Sequence, residues 1–295
     1  MADLSVIIVN WKSAELIREL LVSVARETRG VSYEIFVVDN ASGDHVEGVV
    51  NDFKKAHSRV PIMLLMNDRN EGFAAACNRA IRLSGGRHAV LLNPDTRVLD
   101  GALQKMVAWM DERPMVGVAG PMLVEPDGSI QKSVRRLPGV LDQLLVLLKL
   151  PHLWRAHPVL RRYYADDFDY SRESDVEQLM GAAFFVRREV FETIGLLDER
   201  FFIWFEEVDF CKRAREAGWR VVYAPVARVM HHGGRSFSQE MRFRKQRHFV
   251  RSLLAYVKKH RGTLPALLLA VPAALILSLM AVIALWRLPR SGKRS

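Results

Sequence analysis

Ala89-Val90-Leu91-Leu92-Asn93-Pro94-Asp95 is a short apolar run that stops at a stiff polar turn closed by a carboxylate. Such a run, bounded by turn residues, reads as a buried strand that delivers Asn93 and Asp95 to its carboxyl end. The same figure recurs upstream. Ser5–Val9 ends at Asn10, Glu34–Val38 ends in Asp39-Asn40-Ala41-Ser42-Gly43-Asp44, and Ile62–Met66 precedes Asn70-Glu71-Gly72. Between these runs, Ala14–Ala25 carries Leu16, Leu20, Leu21 and Val24 at helical spacing, and Phe73–Ser84 reads as another helix. Strands alternating with helices predict right-handed βαβ units, hence an α/β fold with a mostly parallel sheet. Ligands bind such sheets beyond the carboxyl ends of the strands, where all of these polar motifs fall.

A second set of strands is expected at Val116–Ala119, Ala182–Val186 and Val221–Tyr223. Between the first two lies an insertion, 137–170, with the apolar run Leu144–Leu150 and then Trp154, Tyr163 and Tyr164 among arginines. Two roles fit its amphipathic helices: packing on the core, or touching a membrane or a lipid-bearing acceptor. Residues 263–286 are almost wholly apolar and long enough to cross a bilayer, which takes roughly 20 residues. A basic segment, 241–262, precedes this run and a basic tail, 287–295, follows it. The alternative for the apolar run is a buried core helix. The heavier basic cluster, on the catalytic side, predicts a single pass with the catalytic part cytoplasmic, at the inner membrane. MADLSVIIVNW lacks the basic start of a signal peptide.

The net charge is +10 over 295 residues. Nucleic acid, anionic lipid and a phosphorylated substrate could each account for it. The basic cluster adjoins the apolar run and no RNA-binding motif accompanies it, which favours lipid over nucleic acid. Cys77 and Cys211 form no CxxC pair, which argues against a disulfide framework or a zinc site. No P-loop and no GxGxxG follows a strand.

Phe201-Phe202-Ile203-Trp204-Phe205-Glu206-Glu207-Val208-Asp209 is the stretch richest in chemistry. An aromatic run desolvates the acids behind it, and burial raises a carboxyl pKa toward that of a base working near neutrality. If a helix follows, the acids sit in its first turn, where its dipole favours negative charge; a capping role is the bland alternative. At Asn70-Glu71-Gly72 the small residues let backbone N–H groups approach a phosphate or sugar. Asp95 can bind Mg²⁺ or Mn²⁺. In Val229-Met230-His231-His232-Gly233-Gly234-Arg235, neighbouring histidines in a strand face opposite ways, so one of the two can join a metal while Arg235 meets phosphate.

In this order the motifs resemble glycosyltransferase family 2, the inverting GT-A enzymes, over about residues 3–240. The nearest likeness is to rhamnosyltransferase-like members that build bacterial cell-surface polysaccharide. The resemblance implies a Rossmann-like GT-A domain, 1–240, with a C-terminal transmembrane helix. It also implies a nucleotide-diphosphate sugar donor, a saccharide or lipid-linked acceptor, and Mg²⁺ or Mn²⁺. Val9, Asn10, Asp39 and Asn40 would line the nucleoside pocket, and Asn70 and Gly72 would hold the nucleotide. Asn93-Pro94-Asp95 stands at the family's Asp-x-Asp position, with Asp95 as metal ligand and His231 beside it. The family's Glu-Asp-x-Asp is Glu206-Glu207-Val208-Asp209 here, so Glu207 takes the base position and Glu206 competes for it. Those departures also leave a second reading, a membrane-tethered protein that binds sugar nucleotide with weak or no transfer.

Overall fold

The computed structural model of the chain describes residues 2–154, 156–234 and 242–286. Arg235, the tail 287–295 and the side chain of Trp286 therefore lie outside the described residues. The first half runs β1 (Leu4–Asn10), α1 (Ala14–Glu27), β2 (Tyr33–Asp39), α2 (Val46–Ala56), β3 (Ile62–Met66), α3 (Phe73–Leu83) and β4 (His88–Leu92). Then come β5 (Thr96–Val98), α4 (Ala102–Asp111), β6 (Val116–Val124), β7 (Val134–Arg135), α5 (Val140–Leu147) and α6 (Pro158–Tyr163). The chain continues through β8 (Ser174–Asp175), β9 (Gln178–Leu179), β10 (Ala183–Arg187), α7 (Arg188–Ile194), α8 (Glu206–Glu216) and β11 (Arg220–His231). Two long helices close it, α9 (Arg242–Arg261) and α10 (Thr263–Trp286).

The main sheet has the strand order β3-β2-β1-β4-β10-β6-β11-β5. β1 through β4 are mutually parallel, as the βαβ pattern requires, and β6 is parallel to β11. β10 enters antiparallel between β4 and β6 and makes the sheet mixed. Every residue of β1 is buried, because helices cover both faces. On one face α1, α2 and α4 contribute Ile17, Leu20, Val50 and Met106 to one cluster, and on the other α3, α7 and α8 contribute Ala76, Ile81, Phe191 and Phe210 to a second. In α1 the buried set Ile17, Leu20, Leu21 and Val24 keeps the i, i+3, i+4 spacing of a core-facing stripe.

A third cluster has no counterpart in the sequence reading. Within the basic segment, Arg242–Arg261 folds as α9, whose Val250, Leu253, Tyr256 and Val257 bury against Phe201, Phe205 and Val208. Their spacing leaves Arg244, Arg247, Arg251 and Lys258 exposed on the opposite face, whereas Lys245 turns to the pocket and Lys259 to Asp209. Gly262, at φ +95°, makes the turn into α10, and Ala266, Leu269 and Ala273 pack into the same cluster. The insertion supplies Leu147 to it from α5.

Candidate active site

The carboxyl ends of β1, β2 and β4 and the start of α8 converge on one pocket of about 340 Å³. Val9, Asn40, Asn70, Gly72, Asn93, Glu206, Glu207 and His231 all line it. Asp95, the expected metal ligand, is not in that lining, and neither are Asn10 and Asp39. The latter two are buried behind it, where Asn10 Nδ2 donates to Asp39 Oδ1 (2.7 Å) and Ser42 Oγ donates to the same oxygen (2.5 Å). They hold the loop that presents Asn40. Asn40 in turn donates to the Gly72 carbonyl (3.0 Å) and accepts from Asn67 (2.7 Å), which joins the β2 and β3 loops.

Gly72 is required by its surroundings. Its φ is +91°, and a Cβ there would lie 2.5 Å from the carbonyl oxygen of Phe202. The neighbouring Phe73 N–H donates to that same carbonyl (2.7 Å), so the start of α3 anchors the aromatic loop 201–205. Gly72→Ala should cost roughly 2–4 kcal/mol through backbone strain and overpacking, read as a lower urea midpoint at unchanged m-value.

The aromatic loop is held from its other side by α9. Phe202 stacks on His248 with ring centroids 4.5 Å apart, and Ser252 Oγ donates to the Ile203 carbonyl (2.9 Å). Trp204 and Phe205 both take positive φ, 63° and 72°, a backbone conformation that side chains with a Cβ adopt at a cost and that clusters at functional sites. The loop thereby turns into α8, and the helix starts at Glu206 itself. Asp209, the third acid, does not reach the pocket. It is fully buried, accepts from Arg213 Nε (2.7 Å), and lies 2.6 Å from Lys259 Nζ and 2.7 Å from His260 Nε2. Its role is to lock α8 onto α9.

Glu206 and Glu207 stay at the pocket wall. Each has one buried carboxylate oxygen, Oε2, with no hydrogen-bond partner among the described residues. Burial pushes both carboxyls above their ordinary 4.5, and the charge of Glu207 drives Glu206 higher still. Backbone N–H groups of the first turn of α8 and the guanidinium of Arg135 pull Glu207 back down, the helix N-terminus acting as its dipole predicts. Of the two, Glu206 is therefore the harder to ionise.

Asp95 and His231 meet through strand register. β5 and β11 are antiparallel with His231 opposite Thr96, which sets His231 Nε2 3.5 Å from Asp95 Oδ1. The His232 N–H donates to the Asp95 carbonyl (3.0 Å), so His231 is the histidine that faces the acid. Its Nδ1 lies 2.7 Å from Gln131 Oε1, and Gln131 Nε2 donates to Glu125 (2.6 Å). A histidine oriented by a partner on its other nitrogen is the usual arrangement of a metal-ligating imidazole. No group of three or more His, Cys, Asp or Glu side chains forms a metal cluster among the described residues. One carboxylate and one imidazole fit Mg²⁺ or Mn²⁺ when donor phosphates and waters complete the shell.

Several lining residues escaped the sequence reading. Trp11 and Ser13 follow β1, and Lys245 reaches in from α9. Gln131 carries no local signal, since only the fold brings it to His231.

The profile of the family described as glycosyltransferase like family 2 matches residues 2–249. An N-acetylglucosaminyl-diphospho-decaprenol L-rhamnosyltransferase of Mycobacterium tuberculosis is 28% identical over 272 residues, which covers 88% of this chain and 85% of that relative. A dTDP-rhamnosyl transferase of Shigella flexneri is 24% identical over 67% of this chain and 59% of its own length. Among solved structures, a mannosyltransferase from Pyrobaculum calidifontis in complex with GDP-Man and Mn²⁺ superposes with a TM-score of 0.58. The pair is 19% identical, and the match covers 97% of this chain and 81% of that one. That likeness is one of fold, the GT-A arrangement.

Proposed function

The chain belongs to glycosyltransferase like family 2, and on that premise we propose that it transfers a sugar from a nucleotide-diphosphate donor to a lipid-linked saccharide, with inversion. The donor we favour is a rhamnose nucleotide and the setting is cell-envelope polysaccharide synthesis, after the two rhamnosyltransferase relatives. One observation carries the chemistry: a buried, proton-hungry acid pair at a helix start shares a pocket with His231 and Asn93.

Glu207 takes the proton from the attacking hydroxyl of the acceptor. That oxygen bonds to the anomeric carbon as the bond from the carbon to the phosphate oxygen breaks, and the nucleoside diphosphate leaves with the electron pair. A single displacement inverts the centre and needs no covalent nucleophile. Asp95 and His231 would hold Mg²⁺ or Mn²⁺, which supplies charge neutralisation for the departing diphosphate. Asn40, Asn70 and Gly72 orient the nucleotide, over the loop braced by Asn10 and Asp39. Trp204 and Phe202 exclude water.

The protein is anchored by α10 in this reading. Thr263–Ala281 is long and apolar enough to cross a membrane and only 17% of it is buried, unlike a core helix. Leu264, Leu267, Leu268, Val271, Leu275 and Leu279 are exposed along it. The insertion, whose α5 joins the same cluster as α10, exposes Leu141, Leu148, Leu153 and Trp154, a second lipid-facing surface. The basic face of α9 then meets anionic headgroups on the cytoplasmic side.

Melting the full chain in detergent against dTDP-rhamnose, UDP-N-acetylglucosamine and GDP-mannose, with Mn²⁺ or with chelator, tests donor and metal together. The true donor at 100 times its Kd stabilises by about 2.7 kcal/mol, and chelator should remove the shift. A panel with no shift, or one unchanged by chelator, would overturn the reading.

A further inference from the structure

A second cavity, of about 200 Å³, is also lined by Glu207. Glu207, Met180 and Trp204 line both cavities, whereas His231 lines only the first. The candidate base thus stands in the wall between two spaces. One holds the metal-side groups. The other reaches Tyr163 of α6, Phe249 of α9 and Arg135 of β7.

Three polar features in this second space are not consumed by the fold. Ser133 lines it and is buried, and its Oγ has no hydrogen-bond partner among the described residues; the same holds for Glu207 Oε2. Buried polar groups are ordinarily hydrogen-bonded, so two such atoms on one cavity point to a ligand rich in hydroxyls. The third feature is a cation. Lys132 and Arg136 are paired, with Asp166 (3.3 Å) and Glu177 (3.5 Å). Arg135 between them makes no ion pair with a described residue, and its guanidinium lies over the ring of Tyr164, 5.3 Å from the centroid. A guanidinium at a cavity edge offers paired N–H donors that match phosphate oxygens. Tyr163, Trp204, Phe205 and Phe249 add aromatic surface to the wall, suited to the apolar face of a sugar ring.

We propose that this second cavity is the acceptor site, and that it takes a saccharide carried on a phosphate or diphosphate, with Arg135 on the phosphoryl oxygens. The sugar lies among Tyr163, Trp204 and Phe249, and its reacting hydroxyl meets Glu207. The inference rests on Glu207 as the base. The acceptor hydroxyl would then reach the anomeric carbon from the side of Glu207, and inversion requires the diphosphate to leave from the opposite face of that carbon.

The test is calorimetric titration of the full chain in detergent, with a nucleoside diphosphate and Mn²⁺ saturating the first pocket. Three probes are compared: N-acetylglucosamine 1-phosphate, N-acetylglucosaminyl diphosphate on a farnesyl tail, and neutral octyl N-acetylglucosaminide. R135Q should weaken both charged probes at least tenfold and the neutral one less than twofold, and R135K should recover part of the loss. Tighter binding of the tailed probe would identify a lipid carrier, and equal binding a free sugar phosphate; both uphold the phosphate site. Unchanged binding of the charged probes to R135Q, or an equal loss for the neutral probe, would overturn it. E207Q separates the two readings. It should bind the charged probes yet fail to transfer; if it transferred, the base assignment would fall while the Arg135 result stood on its own.

Discussion

Glu207→Gln is expected to lower kcat/KM for sugar transfer by about 10³-fold, within the range general-base catalysis supplies, while leaving the folded protein at least as stable. Both halves follow from burial. A carboxyl whose pKa is raised on folding binds its proton more tightly in the folded state than in the unfolded one. Its stabilising share is therefore complete below the ordinary 4.5 and is lost as pH rises through the higher folded value. A neutral glutamine escapes that loss, so at pH 8 the variant should melt no lower than the parent. Loss of transfer without loss of stability marks a working group, because a merely structural acid would give the reverse.

The pH profile carries the same sign. Transfer needs Glu207 ionised, so kcat/KM should climb with pH through a limb placed above 4.5. Burial and the charge of Glu207 both oppose ionisation of Glu206 and favour its neutral form. Glu206→Gln therefore replaces one neutral group by another and should reduce kcat less than tenfold. A limb at the ordinary carboxylate value, or a larger defect in Glu206→Gln than in Glu207→Gln, would reverse the assignment between them.

The second large effect is expected at Asp95. Asp95→Ala should reduce kcat/KM by about 10²–10⁴-fold, since a metal contributes several kcal/mol to a developing charge and each 1.36 kcal/mol is a decade of rate. It should also abolish the rise in melting temperature that Mn²⁺ confers on the donor complex. His231 keeps its orientation in this variant through Gln131, whose Oε1 lies 2.7 Å from Nδ1. Retention of a full metal-dependent shift would show that Asp95 is no ligand.

Much of the fold was legible because its signals are local. Ile62–Met66 is a strand with those bounds, and the other early strands differ by a residue or so at their ends. The sequence reading passed over α2, α4 and α7, although Val46, Val49, Val50 and Phe53 of α2 keep the spacing of a buried face. It took 241–262 for a basic stretch beside the membrane because charge density masked the apolar stripe of α9. Asn10 and Asp39, expected to line the nucleoside pocket, form a buried hydrogen-bonded brace with Ser42.

What the sequence determined by itself is the kind of element at each place and the chemistry at its end. A run of β-branched residues selects strands, a polar turn after it selects a site, and an aromatic run before two acids foretells raised pKa values. Only the tertiary structure decided which of those ends meet. His231 lies 3.5 Å from Asp95 because β11 runs antiparallel to β5 in one register. Asp209 serves α9 rather than the pocket because helix packing turned it inward. Glu207 came to stand between two cavities because strained backbone at Trp204 and Phe205, pinned by α3 and α9, starts the helix at Glu206. Local periodicity is set by the backbone over a few residues; proximity across a hundred residues depends on register and packing, which no local pattern encodes.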